Sequence, residues 1–105
     1  MDLYKNRIKE RRIAESNQAT SDLCKIASER AIEAAGISPD DIDLIILATI
    51  TPDTHCPAGA NWLEAKLGCH NAVSFDITAA CTGFIFALHV ADKMIKSGVN
   101  KTALV

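Results

Sequence analysis

The side chains with nucleophilic or proton-transfer chemistry near neutral pH are four cysteines and three histidines in a chain of 105 residues. Cys24, Cys56, Cys69 and Cys81 are widely spaced and form no CxxC pair, so neither a zinc site nor a disulfide framework is indicated. Cys81 has the most chemical setting, within Phe75-Asp76-Ile77-Thr78-Ala79-Ala80-Cys81-Thr82-Gly83-Phe84. A short apolar run over residues 72–77 ends in small residues, and a long apolar helical pattern follows almost at once. That order predicts a strand, a tight turn and a helix, with Cys81 near the first helical turn. Thr78 is the expected N-cap, and Ala79, Ala80 and Gly83 leave the backbone around the sulfur open. A helix N-terminus favours negative charge by about 0.3–1 kcal/mol, so Cys81 is expected to hold a thiolate more easily than a free cysteine. Cysteine is also a common small hydrophobe of buried cores, and position alone leaves both roles open.

Of the histidines, His55 alone falls at the same end of the predicted sheet as Cys81. Its ordinary role is that of an exposed loop residue, and a role in the site is the alternative. His70 precedes a strand and belongs to the opposite end. His89 lies over two helical turns from Cys81 and about 80° around the helix, so neither of these two can act as its base.

The elements that must position Cys81 follow in order. Residues 21–35 read as a helix with Leu23, Ile26, Ala27, Ala31 and Ala34 on one apolar face, and Cys24 packing beside it. Thr20 or Ser21 caps that helix, Asp22 suits its positive end, and Gly36 supplies the C′ position. Residues 38–41 form a turn around Pro39. The continuous apolar run over residues 44–50 predicts a parallel strand buried on both faces. The loop over residues 51–57, with His55 and Cys56, then sits at the carboxyl end of the sheet, where open α/β folds build their sites. A helix over residues 58–67 carries Ala58, Trp62, Ala65 and Leu67 and stops at Gly68, with Trp62 as a packing anchor. The helix over residues 81–97 is apolar on nearly every side in its first half, apart from His89, and reads as a core helix. Asp92, Lys93 and Lys96 expose its second half, and Gly98 closes it. Residues 101–105 begin another buried strand. No linker, low-complexity tract or internal repeat interrupts the chain.

Composition narrows the class. The chain is 49% hydrophobic with few aromatics and a net charge of -2, and it fits one domain or part of one. The basic residues gather into no stripe suited to nucleic acid. No apolar run reaches the ~18 residues of a membrane span, and the N-terminus lacks the apolar core of a signal peptide. A reducing cytoplasm is the expected setting. Residues 1–19 are polar and strongly charged, with Lys5, Arg7, Lys9, Glu10, Arg11, Arg12 and Glu15, and read first as a solvated face.

Asp76-Ile77-Thr78-Ala79-Ala80-Cys81-Thr82-Gly83-Phe84 resembles the nucleophile motif of β-ketoacyl-acyl-carrier-protein synthase III, a thiolase-fold condensing enzyme. Residues 7–14 (RIKERRIA), 31–36, 43–49, Thr51-Pro52-Asp53, Leu67-Gly68 and 101–105 fall in the family's order and spacing. Family enzymes are roughly three times as long, so the resemblance implies that residues 1–105 are a partial N-terminal domain. The implied fold is a half of the three-layer α/β/α thiolase type with a mostly parallel sheet, lacking its first strand and its C-terminal half. That first strand is expected between the strands at residues 44–50 and 101–105. Without it, the chain alone is expected to lack condensing activity and to be poorly stable as a monomer.

The resemblance also implies the chemistry. Cys81 would attack an acyl-CoA thioester, and its backbone amide would contribute to an oxyanion hole. A histidine and an asparagine from the second half would then promote decarboxylation of malonyl-acyl-carrier protein, whose carbanion takes the acyl group. No metal or redox cofactor is implied, and the full-length enzyme is expected to be a homodimer. Residues 7–14 match a segment near the tunnel mouth, so Arg7, Arg11 and Arg12 are expected to meet coenzyme A phosphates or an acidic carrier protein. Lys5-Asn6 stands where family members usually show Thr-Gly. Cys56 replaces a phenylalanine of many relatives that closes the partner's acyl pocket, which implies a deeper pocket and longer primers. Two alternatives accompany this assignment: another thiolase-related acyltransferase, or a non-catalytic remnant that only folds or dimerises.

Overall fold

The computed structural model describes residues 8–105. Arg7 lies outside them. Three helices and three strands follow the order α1 (Thr20–Ala35), β1 (Leu44–Ala48), α2 (Gly59–Leu67), β2 (Val73–Ile77), α3 (Gly83–Lys96) and β3 (Ala103–Leu104). The sheet is parallel throughout, in the order β2-β1-β3.

Central β1 explains the layering. Leu44, Ile45 and Ile46 are almost fully buried because consecutive side chains leave opposite faces of a strand that is covered on both sides. Ile45 joins Ile32, Ile42, Ala60, Leu63 and Cys69 under α1 and α2. Leu44 and Ile46 join Ala87 and Ala91 under α3. The result is a three-layer α/β/α arrangement.

The apolar run ends as strand at Ala48, two residues before the sequence run does. Thr49 N–H still donates to Ile77 O at 3.2 Å, but Thr51 N–H then donates to Thr49 Oγ1 at 3.1 Å and curls the chain into the 51–57 loop. Gly36 and Gly68 close α1 and α2 in the left-handed conformation, with φ of 68° and 72°, as expected of C′ glycines.

Four expectations are corrected. With the family's first strand absent among the described residues, as expected, β1 and β3 are nevertheless not left unpaired: they pair directly at Leu44 with Ala103 and Ile45 with Leu104. This pairing removes one part of the argument for poor stability, the unpaired edges of those two strands. The buried face of α1 is Ser21, Ser28 and Ile32, with Cys24 half-buried, while Leu23 and Ile26 are exposed. Small hydroxyl residues let α1 lie against α2, and apolar spacing alone points to the wrong stripe. Neither Thr20 nor Ser21 caps α1: Ala19 occupies the cap, and the Asp22 carboxylate accepts from Ala19 N–H at 2.8 Å. Finally, α3 buries only the small stripe Gly83, Ala87 and Ala91. Phe84, Ile85, Phe86 and Leu88 are exposed, so in this chain α3 is a one-sided helix, not a core helix.

Candidate functional site

The site is built at the carboxyl ends of β1 and β2. After β2, residues Ala80–Thr82 form a single 3-10 turn, and α3 starts only at Gly83. Cys81 therefore lies in this turn, and the helix starts two residues after the position at which the sequence pattern begins it. Thr78 does not cap it. Thr82 does the holding, with its N–H and its Oγ1 both donating to Ala79 O, at 3.2 and 2.9 Å.

Ala80 has φ of +47°, a left-handed conformation that costs a residue with a Cβ about 1–2 kcal/mol. The cost falls on the residue immediately before Cys81 and turns the chain sharply there. Gly83 makes the same turn possible from the other side. A Cβ at Gly83 would stand 3.2 Å from Ala48 Cβ, so the start of α3 presses on the end of β1. Cys81 itself is exposed. The sulfur is thus accessible on a strained strand-to-helix turn.

Asp76, inside the same motif, has a different task. Its two carboxylate oxygens accept from Gly59 N–H and Ala60 N–H, both at 2.8 Å, and so satisfy the first amides of α2. Composition gave no hint of this, because the carboxylate comes from β2 and not from the residues flanking the helix.

The 51–57 loop is tied to the other layer. Asp53 Oδ1 accepts from Ser21 N–H at 2.8 Å, and Asp53 Oδ2 accepts from Ser21 Oγ. Lys66 donates to Ser21 Oγ at 2.6 Å and to Asp22 Oδ1 at 2.8 Å, and stands 3.7 Å from Asp53. Trp62 is not a buried packing anchor: it is partly exposed, and its Nε1 donates to Thr54 Oγ1 at 2.9 Å. This cluster escapes a reading of periodicity because its members are far apart in sequence and polar.

The remaining expected site residues separate. Cys56 and His55 are exposed in the 51–57 loop, and no hydrogen bond joins either to Cys81 among the described residues. Arg11 and Arg12 are exposed in a segment without regular structure, and Arg12 pairs with Glu10 at 3.3 Å. Neither makes a hydrogen bond or ion pair with the Cys81 turn among the described residues.

The other cysteines differ from Cys81 in access. Burial pushes the Cys24 thiol upward, helped by Asp53 and Asp76, and burial with Glu64 and Asp40 does the same to Cys69. Alkylation with iodoacetamide near neutral pH should therefore be slow at Cys24 and Cys69 and fast at Cys81. Cys56 is exposed like Cys81, so its rate relative to Cys81 tests whether the strained turn, and not access alone, activates the thiol. Peptide mapping reads the four rates, and equal labelling of Cys69 and Cys81 in folded protein would contradict the geometry.

The Lys66 cluster also carries a pH dependence. The Lys66 hydrogen bond lowers the Asp22 carboxyl. For Asp53, burial acts upward but is outweighed by the Ser21 hydrogen bonds and Lys66, so its value is lowered too. Depressed carboxyls stabilise the fold above the unfolded value of about 3.9, and that contribution disappears as pH falls through the folded values. Lys66 is raised, chiefly by the Asp22 hydrogen bond, so its contribution persists at neutral pH and is lost only at strongly alkaline pH. Melting temperature should accordingly fall on acidification below about pH 4. Asp53→Asn should flatten that limb, and an unchanged acid limb would show that the cluster does not control it.

The fold is thus a parallel three-layer α/β/α unit with an exposed cysteine on the turn after β2. Comparison with known proteins narrows the class. The family model for 3-oxoacyl-acyl-carrier-protein synthase III matches residues 75–105. The β-ketoacyl-acyl-carrier-protein synthase III of Ehrlichia canis is 52% identical over 98 residues, covering 93% of this chain and 31% of that protein. The crystal structure of the synthase III from Aquifex aeolicus superposes with a TM-score of 0.81 and 46% identity, covering 87% of this chain and 29% of that one. OleA of Xanthomonas campestris superposes equally well, with a TM-score of 0.81, at 27% identity over 86% of this chain and 28% of its own. The chain is thus similar to synthase III across nearly all its own length, and spans about 31% of the Ehrlichia relative.

Proposed function

We propose that this chain carries the acyl-accepting part of a β-ketoacyl-acyl-carrier-protein synthase III, with Cys81 as the nucleophile. The observation that carries the proposal is the exposed Cys81 on a turn strained at Ala80 and jammed against β1 at Gly83, within a segment similar to synthase III. In this mechanism the Cys81 sulfur attacks the acyl-CoA carbonyl carbon. A new carbon–sulfur bond forms, the bond to coenzyme A breaks, and the proton lost by Cys81 ends on the released coenzyme A thiol. The Cys81 backbone amide, in the turn ahead of α3, would stabilise the oxyanion that forms in between. A malonyl-carrier protein, decarboxylating, would then supply the carbanion that takes the acyl group. No metal or redox cofactor enters these steps. Arg7, Arg11 and Arg12 are proposed contacts for coenzyme A phosphates or the carrier protein, and a homodimer is the proposed full-length assembly. A cytoplasmic location is proposed on the same grounds; among the described residues no helix is long and apolar enough to cross a membrane.

Cys56 is the proposed wall of the acyl pocket. Its small side chain favours primers longer than acetyl, by roughly 1–3 kcal/mol per methylene accommodated. Incubating the protein with acetyl-CoA and with longer acyl-CoAs, and measuring released coenzyme A thiol, tests both points. Release should depend on Cys81 and rise with acyl length. Release that survives Cys81→Ala removes Cys81 from the role, and a strict preference for acetyl-CoA removes Cys56 from its own.

A further inference from the structure

We propose that Ser21, Asp53 and Lys66 form a polar latch that fixes the 51–57 loop, with Lys66 as its positioning residue. The loop leaves the end of β1 and must return to the start of α2, with Cys56 near its far end. Its first half is held to the start of α1. Thr51 O accepts from Thr20 Oγ1, and both Asp53 carboxylate oxygens are engaged by Ser21. Its second half is held to α2, where Thr54 Oγ1 accepts from Trp62 Nε1 and donates to Pro57 O at 2.6 Å.

Ser21 is the hinge of the arrangement. It is 0% exposed, its hydroxyl donates to Asp53, and the same oxygen accepts from Lys66. One ammonium group, from the last turn of α2, thus stands between Asp22 on α1 and Asp53 on the loop. Removing the cation leaves the Asp53 carboxylate on the buried Ser21 hydroxyl without its positive neighbour, and Asp22 without its bond to α2. The loop is the member with no regular structure of its own, so it is the part that would yield.

The latch does not depend on the acyl-transfer proposal, since its test involves no acyl-CoA; if that proposal holds, the latch sets where Cys56 stands. Hydrogen exchange read by mass spectrometry on the intact chain resolves the loop from the sheet. In Lys66→Met, exchange of the loop amides should rise about tenfold, as the loss of a charge-assisted hydrogen bond implies, with β1 exchange unchanged. Lys66→Arg should restore slow exchange, because it keeps the cation. Asp53→Asn should loosen the loop in the same way as Lys66→Met. Loop exchange within about twofold of the wild type in Lys66→Met would overturn the latch. So would an equal rise in β1, because the cluster would then support the whole fold and not the loop.

Discussion

Ile46→Ala is expected to lower the free energy of unfolding by about 2–5 kcal/mol, a large share of the 5–15 kcal/mol typical of a natural domain. Ile46 is 1% exposed on the central strand, in a cluster with Leu44, Ala87 and Ala91, and the buried members on α3 are alanines too small to fill the space left. Ile85→Ala supplies the contrast. Ile85 lies one helical face away from that contact and is 69% exposed, so its truncation should fall within about 0.5 kcal/mol. Urea unfolding measures both. A cost for Ile46→Ala below 1 kcal/mol would mean that β1 is not the centre of the core. A cost for Ile85→Ala equal to that of Ile46→Ala would mean that the outer face of α3 is covered in solution.

Asp76→Ala is expected to cost about 1–3 kcal/mol, although Asp76 sits five residues from the proposed nucleophile. The substitution leaves Gly59 N–H and Ala60 N–H without their acceptors, and both residues are buried. Asp76→Asn should cost less, because the amide oxygen keeps one of the two bonds. Urea unfolding gives the energies, while iodoacetamide labelling of Cys81 should not change, since the Asp76 carboxylate is bonded to Gly59 and Ala60 and, among the described residues, not to the Ala80–Thr82 turn. A loss of Cys81 labelling in folded Asp76→Asn would give this carboxylate a role in the site that its contacts do not show.

Much of this molecule is legible where chemistry and periodicity agree. The unbroken apolar run at β1 announces a strand covered on both faces, and Gly36 and Gly68 mark helix ends because glycine adopts positive φ without strain. The small residues around Cys81 likewise announce a tight turn. What periodicity misses has physical causes. The buried stripe of α1 holds Ser21 and Ser28, whose hydroxyls are buried by partners or small size and not by hydrophobicity. The turn before α3 is held through Ala79 O by Thr82, and the strain at Ala80 is invisible because alanine, unlike glycine, gives no signal of a left-handed position. Asp53, Lys66 and Asp76 act across long sequence separations, so no local pattern announces them. The direct pairing of β1 with β3 is a property of topology, and apolar runs carry no information about which strands are neighbours.

The most direct test of the central claim is to locate the acyl group after incubation with acyl-CoA. Intact mass gives the number of acyl groups per chain, and peptide mapping under conditions that preserve thioesters gives their position. The account predicts a single acyl group, on Cys81, absent in Cys81→Ala while Cys56 stays free. An acyl group on Cys56 in place of Cys81, or no adduct in a folded chain whose Cys81 still reacts with iodoacetamide, would contradict it.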